Sequence, residues 1–183
     1  MIAMFQRTMS AVPELKTGRL RLVAITPEML EAEQRESAAE LSRLTGAKLT
    51  ADWPPLDWEP HVLQLILQQY EKAPETLGWH RYVVLCDGLG LTRTLVGAIG
   101  GFPKPWGDVE IGYSTLPQFQ RRGIATAAVR ALVDWLLTRD GVRSVSAQTF
   151  TRLPESIKVM ERCGMTYDGE GDEASSVRYR RLR

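Results

Sequence analysis

Near the centre of this 183-residue chain the apolar period changes from two to 3.6, and that change restricts the fold more than any other feature. Residues 109–116 read as a strand, stopped by Pro117. After Gly123, the residues Ile124, Ala127, Ala128, Ala131, Leu132 and Trp135 fall at i, i+3, i+4, i+7, i+8 and i+11. They form one continuous helical stripe that ends before Gly141. Residues 142–150 return to strand. A strand, a long apolar-faced helix and a second strand suggest a parallel crossover, which is normally right-handed.

The flanking segments supply the other elements. Residues 19–25 alternate, with Leu20, Leu22 and Ala24 on one face and Arg19, Arg21 and Val23 on the other. Thr26 and Pro27 read as an N-cap and first helical position. A glutamate-rich helix, continuous or broken, then runs to about Leu44 and ends at Gly46. Pro54, Pro55 and Pro60 make helix unfavourable across residues 52–60. Val62, Leu63, Ile66, Leu67 and Tyr70 recur at helical spacing before Pro74. Strands are predicted at 79–86 and 94–102, with Asp87-Gly88 opening the turn between them. A short helix covers 154–163 with Gly164 at C′, and strands at 165–171 and 175–182 flank an acidic loop. The predicted fold class is a mixed α/β sheet of about seven strands with helices on both faces. Residues 1–14 read as an N-terminal arm and 15–183 as one domain.

Composition narrows the function. Hydrophobic residues make up 44% and charged residues 25%, the balance of an ordinary globular protein. Lysine plus arginine number 23 and aspartate plus glutamate 22, so nothing calls for nucleic acid or an anionic membrane. Cys86 and Cys163, with His61 and His80, are too scattered for a metal site; no metal is expected, and buried free thiols are the reading adopted. The first ten residues carry Arg7 and lack an apolar core, and no apolar run reaches membrane-spanning length, so a cytoplasmic protein is expected.

The chemistry concentrates in Gln120-Arg121-Arg122-Gly123-Ile124-Ala125, at the junction of strand and helix. The first turn of a helix has N–H groups without internal partners and a positive dipole end. Gly123 lets a ligand approach the backbone, Ala125 does not block it, and Arg121 and Arg122 add charge. A diphosphate is the natural ligand for such a turn. The alternative is an arginine-rich surface turn. Neither a Walker A loop nor a dinucleotide fingerprint is present.

Val109-Glu110-Ile111-Gly112-Tyr113-Ser114, followed by this hexapeptide and the alanine-rich helix, resembles motif A of the GNAT N-acetyltransferase superfamily, Gln/Arg-x-x-Gly-x-Gly/Ala. Ser156-Ile157-Lys158-Val159-Met160-Glu161-Arg162-Cys163-Gly164-Met165 looks like the family's Asn-x-x-Ser-x-x-Val-Leu-Glu-Lys-Leu-Gly-Phe segment. Leu15-Lys16-Thr17-Gly18-Arg19-Leu20-Arg21-Leu22 is similar to the start of the ribosomal-protein N-terminal acetyltransferase branch. The resemblance implies a mixed, mostly antiparallel sheet splayed between its fourth and fifth strands. It also implies acetyl-coenzyme A in the gap as cosubstrate. The pyrophosphate would meet Gln120, Arg121, Arg122, Gly123, Ile124, Ala125 and Thr126. The pantetheine arm would meet main-chain groups of Ser114, Thr115 and Leu116, whose strand could also polarise the thioester carbonyl.

Acetyl transfer needs a neutral amine, yet a lysine amine has a pKa of about 10.4 and an α-amine about 8. A base, directly or through water, helps, and the leaving thiolate benefits from a proton. By the resemblance, Glu110 is the candidate base and Ser156 the candidate proton donor. The competing readings are an ion-paired strand carboxylate and a serine that satisfies a helix terminus. Leu153 stands where the family has an asparagine, Met160 where many relatives have a tyrosine acid, and Tyr167 lies beyond the helix. A non-catalytic acyl-coenzyme A-binding domain is therefore the alternative to a primary-amine acetyltransferase.

The acceptor is a small-molecule or peptide amine on this reading. Trp53 and Trp58 either line its pocket or cover the core, and Trp106 invites the same two readings. Arg178, Arg180, Arg181 and Arg183 read as a solvated edge strand, with an acidic partner as the alternative. Exposed terminal strands make a homodimer plausible.

Overall fold

Gly18, with φ 53°, reverses the chain and creates a strand that the alternation at 19–25 does not reveal. In the computed structural model, which describes residues 12–89 and 91–183, β1 (Leu15–Thr17) pairs antiparallel with β2 (Leu20–Ala24). The sheet thus has eight strands rather than about seven, in the order β1-β2-β3-β4-β5-β6-β8-β7. β3 (Arg81–Cys86), β4 (Arg93–Lys104) and β5 (Asp108–Thr115) complete the antiparallel meander. β6 (Ser144–Phe150) joins β5 in parallel, and β7 (Thr166–Glu170) and β8 (Ser176–Leu182) follow. Of the expected arm, residues 1–11 lie outside the described residues. The Pro13 carbonyl accepts a hydrogen bond of 2.9 Å from Arg81 Nη1.

α1 (Pro27–Gln34) starts where Thr26-Pro27 predicts, with Thr26 Oγ1 accepting from the Met29 N–H at 3.2 Å. The glutamate-rich segment is broken: Glu36 takes φ 53°, and α2 (Ala38–Thr45) begins afresh before left-handed Gly46. α3 (Pro60–Lys72) packs with α1 and α2 on one face of the sheet, burying Leu30, Leu41, Ile66 and Tyr70 against Tyr82 and Leu95. α4 (Ile124–Leu136) and α5 (Pro154–Arg162) cover the other face, where Val129, Leu132 and Val133 meet Leu22, Val96 and Ile111. Each such side chain contributes about 1.5–3 kcal/mol on burial, so the sheet is a rigid wall between two cores.

β8 is not an edge strand. It lies between β6 and β7, and its arginines are paired inside the protein: Arg178 with Asp172, Arg180 with Asp108 and Asp168, and Arg181 with Asp134. Local acids pair with Arg178, Arg180 and Arg181, whereas Arg183 reaches only the Arg139 and Val142 carbonyls among the described residues. Among the described residues no helix is long and apolar enough to cross a membrane.

The feature that positions the site is a fork. β5 and β6 pair only at Asp108–Ser144, Val109–Val145 and Glu110–Ser146, although both strands continue further. The closed end is pinned by Asp108, whose two carboxylate oxygens accept from the Ser144 and Ser146 hydroxyls and which sits 3.0 Å from Arg180. Beyond Glu110 the strands separate, as expected between the fourth and fifth strands of the sequence reading; with β1 counted they are the fifth and sixth.

Candidate active site

At the far end of β5 the chain turns sharply into α4, in a shape that suits an anion. Arg121 has φ 60° and Gly123 has φ 76°, so left-handed residues bracket the turn into α4. A bulky residue held at positive φ is strained, and such turns gather backbone N–H groups into concave anion sites. Gly123 is the N-cap of α4, with no side-chain hydrogen bond, and the N–H groups of Ile124, Ala125 and Thr126 occupy the first turn. A Cβ placed on Gly123 would meet nothing within 4 Å, so the approach is open. Arg121 and Arg122 are exposed at its rim, Arg122 with its guanidinium 5.7 Å from the Phe119 ring centroid. These groups suit a pyrophosphate.

Three residues of the expected set have other duties. Leu116 is buried, its N–H donates to the Val96 carbonyl and its carbonyl accepts from the Phe119 N–H, each at 2.9 Å. The Leu116 N–H is thus committed within the protein, while its carbonyl, with a second lone pair, stays beside Ser114 and Thr115 at the end of that strand. Gln120 turns its side chain back, donating to the Thr115 carbonyl at 2.9 Å, and so shapes the turn. The Ile124 side chain belongs to the core, leaving its backbone N–H for a ligand.

Alongside the fork lies a cavity of about 390 Å³. Its floor is the cross-strand pair Gly100–Gly112, with Ser114 beyond. Trp58 and Phe102 wall one side, and Gln148 and Ser156 line the other across the fork. A Cβ on Gly112 would meet nothing within 4 Å, whereas one on Gly100 would collide with His80 Nδ1. Gly112 leaves room for a ligand above the sheet, and the space over Gly100 is taken by the His80 ring.

Glu110 does not line this cavity. Gln148 stands between them, donating from Nε2 to Glu110 Oε2 at 2.6 Å, while Lys104 Nζ lies 3.2 Å from Oε1. The carboxylate is ion-paired, as one of the two sequence readings holds, and lies one side chain behind the wall. Ser156 does line the cavity, in the first turn of α5. Its hydroxyl makes no hydrogen bond to any described residue, and its carbonyl accepts from the Tyr113 hydroxyl at 3.2 Å. Burial pushes the Tyr113 phenol above its ordinary value. Leu153 occupies the N-cap of α5 without a capping bond, Met160 is fully buried, and Tyr167 lies on β7 against Tyr179.

The tryptophans combine both sequence readings. Trp53 Nε1 donates to Glu33 Oε1 at 2.7 Å, Trp58 Nε1 to Glu33 Oε2 at 2.9 Å, and the Tyr82 hydroxyl also donates to Oε2. Burial raises the Glu33 carboxyl above its ordinary range, and the three donors oppose that shift. The loop is thereby held over the core, and Trp58 also faces the cavity. At the cavity mouth, Asp57 adopts φ 63°. Trp106 is 90% exposed and neither lines the cavity nor covers a core.

Glu33 and Gln148 carry no sequence signal, His80 enters the sequence analysis only among scattered metal-ligand types, and Tyr113 only as part of a motif. The one available signal was glycine in adjacent strands, at 100, 101 and 112, which marks close approach. Among the described residues no group of three or more His, Cys, Asp or Glu could hold a metal, and Cys86 and Cys163 are buried free thiols.

The comparisons agree with this geometry. The family model for the acetyltransferase (GNAT) domain matches residues 19–166. An uncharacterized N-acetyltransferase of Bacillus subtilis, YjdG, is 26% identical over 164 residues, covering 87% of this chain and 93% of its own. An acetyltransferase structure from Agrobacterium tumefaciens superposes with TM-score 0.63 at 21% identity, over 94% of this chain and 96% of its own. RimL, a ribosomal α-N-protein acetyltransferase in complex with coenzyme A, superposes with TM-score 0.61 at 17% identity, over 93% and 98%. The match over most of the chain settles the family, and the chain belongs to the GNAT acetyltransferases, which use acetyl-coenzyme A.

Proposed function

We propose that residues 15–183 act as one unit that transfers the acetyl group of acetyl-coenzyme A to a primary amine, by direct attack with both substrates bound. The observation that carries this reading is the fork, with the anion cradle at the end of β5 and the Gly100–Gly112 cavity beside it. The cradle suits the pyrophosphate, and a pantetheine arm laid along the open edge of β5 would bring a thioester to the cavity. Acetyl-coenzyme A supplies an activated acyl group on a thiol leaving group.

The chain's own residues supply the rest. Glu110 receives the amine proton through water that passes Gln148, a route consistent with a carboxylate behind the wall. Ser156 offers its free hydroxyl to the departing sulfur. Asp57 is the one charged residue of the cavity lining, and it favours an acceptor that carries positive charge over one that carries a carboxylate. RimL is an α-N-protein acetyltransferase, which makes a peptide N-terminus one acceptor to test.

Thiol release from acetyl-coenzyme A, measured with a peptide N-terminus, spermidine and a free amino acid in parallel, tests the reading. Turnover with the peptide or the polyamine above the uncatalysed rate is expected. Coenzyme A binding without turnover of any amine favours the non-catalytic reading, which Leu153 and Met160 support.

A further inference from the structure

His80 is a buried titratable side chain with no part in the chemistry above. It is 1% exposed, and it borders the cavity. Gln69 fixes its tautomer. Gln69 Nε2 donates to the Gly101 carbonyl at 3.2 Å, so the amide oxygen faces His80 Nε2 at 3.0 Å. That oxygen only accepts, so Nε2 carries the hydrogen and Nδ1 keeps its lone pair. Phe102 packs edge-on against the ring, with centroids 4.8 Å apart, and holds its orientation. Nδ1 sits in the space that the missing side chain of Gly100 leaves. No described residue donates to it. A ligand N–H that reaches Nδ1 from the cavity would supply the hydrogen bond that no described residue makes there.

We propose that His80 Nδ1 is the hydrogen-bond acceptor for the N–H of the substrate amine at the cavity floor, in the open space above Gly112. The inference rests on the acetyltransferase reading and adds the atom that binds the acceptor. Its chemistry differs from that of a carboxylate in one useful respect. A carboxylate at the floor would favour the ammonium form and raise the amine's pKa. A neutral imidazole accepts equally from an uncharged amine and adds no counter-charge. Burial lowers the His80 pKa to about 3, so the ring stays neutral and takes no proton itself. Asp57 at the mouth attracts the cation, His80 at the floor holds the uncharged nitrogen, and the proton leaves toward Gln148 and Glu110.

The chain has two histidines, His61 exposed and His80 buried, so nitrogen-15 spectra of the histidine-labelled protein resolve them. The probe is 2,2,2-trifluoroethylamine, a primary amine that is uncharged at neutral pH, added to the full chain saturated with coenzyme A. His80 should show a protonated Nε2 and a bare Nδ1. The Nδ1 resonance should move upfield saturably with the probe while His61 stays fixed. Gly112→Ala, which fills open space without a clash, should suppress the shift and keep the fold and coenzyme A binding. A protonated Nδ1, an Nδ1 resonance that does not respond, or an equal response in Gly112→Ala overturns the proposal. Coenzyme A binding, followed by calorimetry in the same samples, separates this failure from failure of the acetyltransferase reading.

Discussion

Gln148 and Glu110 are joined by a hydrogen bond of 2.6 Å that spans the opening between β5 and β6, two residues beyond their last paired position on β6. Gln148 is committed on its other side too, to Asp172. The carboxylate is thus strapped to the fork but held out of the cavity. If it takes the amine proton through water, Glu110→Gln should lower turnover by about 10²–10⁴-fold and flatten the pH–rate profile. Thiol-release rates across pH check this, and an unchanged profile removes Glu110 from the chemistry.

The cradle makes a second prediction. Gly123→Val puts a branched residue at φ 76°, in open space but in a backbone region that such residues avoid. The cost to stability should be about 1–2 kcal/mol. The loss of coenzyme A affinity should be at least about tenfold if the proposed cradle receives the phosphates, because the side chain would stand in their approach. Calorimetry and thermal melts on the same variant separate the two effects.

Glu33 predicts an effect on stability. In Glu33→Gln, the new amide NH₂ must face an indole N–H or the pair formed by Trp58 and Tyr82. One buried donor loses its acceptor, which costs about 1–3 kcal/mol. Denaturant unfolding followed by tryptophan fluorescence measures it, and a change within a few tenths of a kcal/mol would contradict the assignment.

His80 gives the stability a pH dependence with a defined sign. Its folded pKa, about 3, lies below the ordinary 6.5, so the unfolded chain binds the extra proton. The stabilisation is present above pH 6.5 and is lost as the pH falls toward 3, at up to about 1.4 kcal/mol per pH unit. Glu33, with its raised pKa, acts in the opposite sense as pH rises from 4.5. His80→Phe should remove the acid-side slope attributable to the imidazole.

Much of the fold was legible because its signals are local. The switch of period at Gly123 located α4, and Thr26-Pro27 located the start of α1. The hairpin at Gly18 was missed because β1 is only three residues long, too short to show alternation. The break between α1 and α2 falls at Glu36, a left-handed residue that is not glycine, so no residue type marks it. The turn proposed as the anion cradle was legible as a strand-to-helix junction because one hexapeptide carries it. The acceptor side was not. Glu33 gathers donors from 20, 25 and 49 residues away, and His80 takes its meaning from Gln69 on α3 and Gly100 on β4. Likewise, the arginines of β8 read as an edge until the strand order put β7 outside them.

Calorimetric titration with acetyl-coenzyme A, with coenzyme A, ATP and NAD run in parallel, tests the central claim most directly. Selective binding of the two coenzyme A species, with dissociation constants on the order of micromolar, is the predicted result. Absence of binding by either species, or equal binding of ATP and NAD, would contradict the assignment of the Arg121–Gly123 turn as the pyrophosphate cradle.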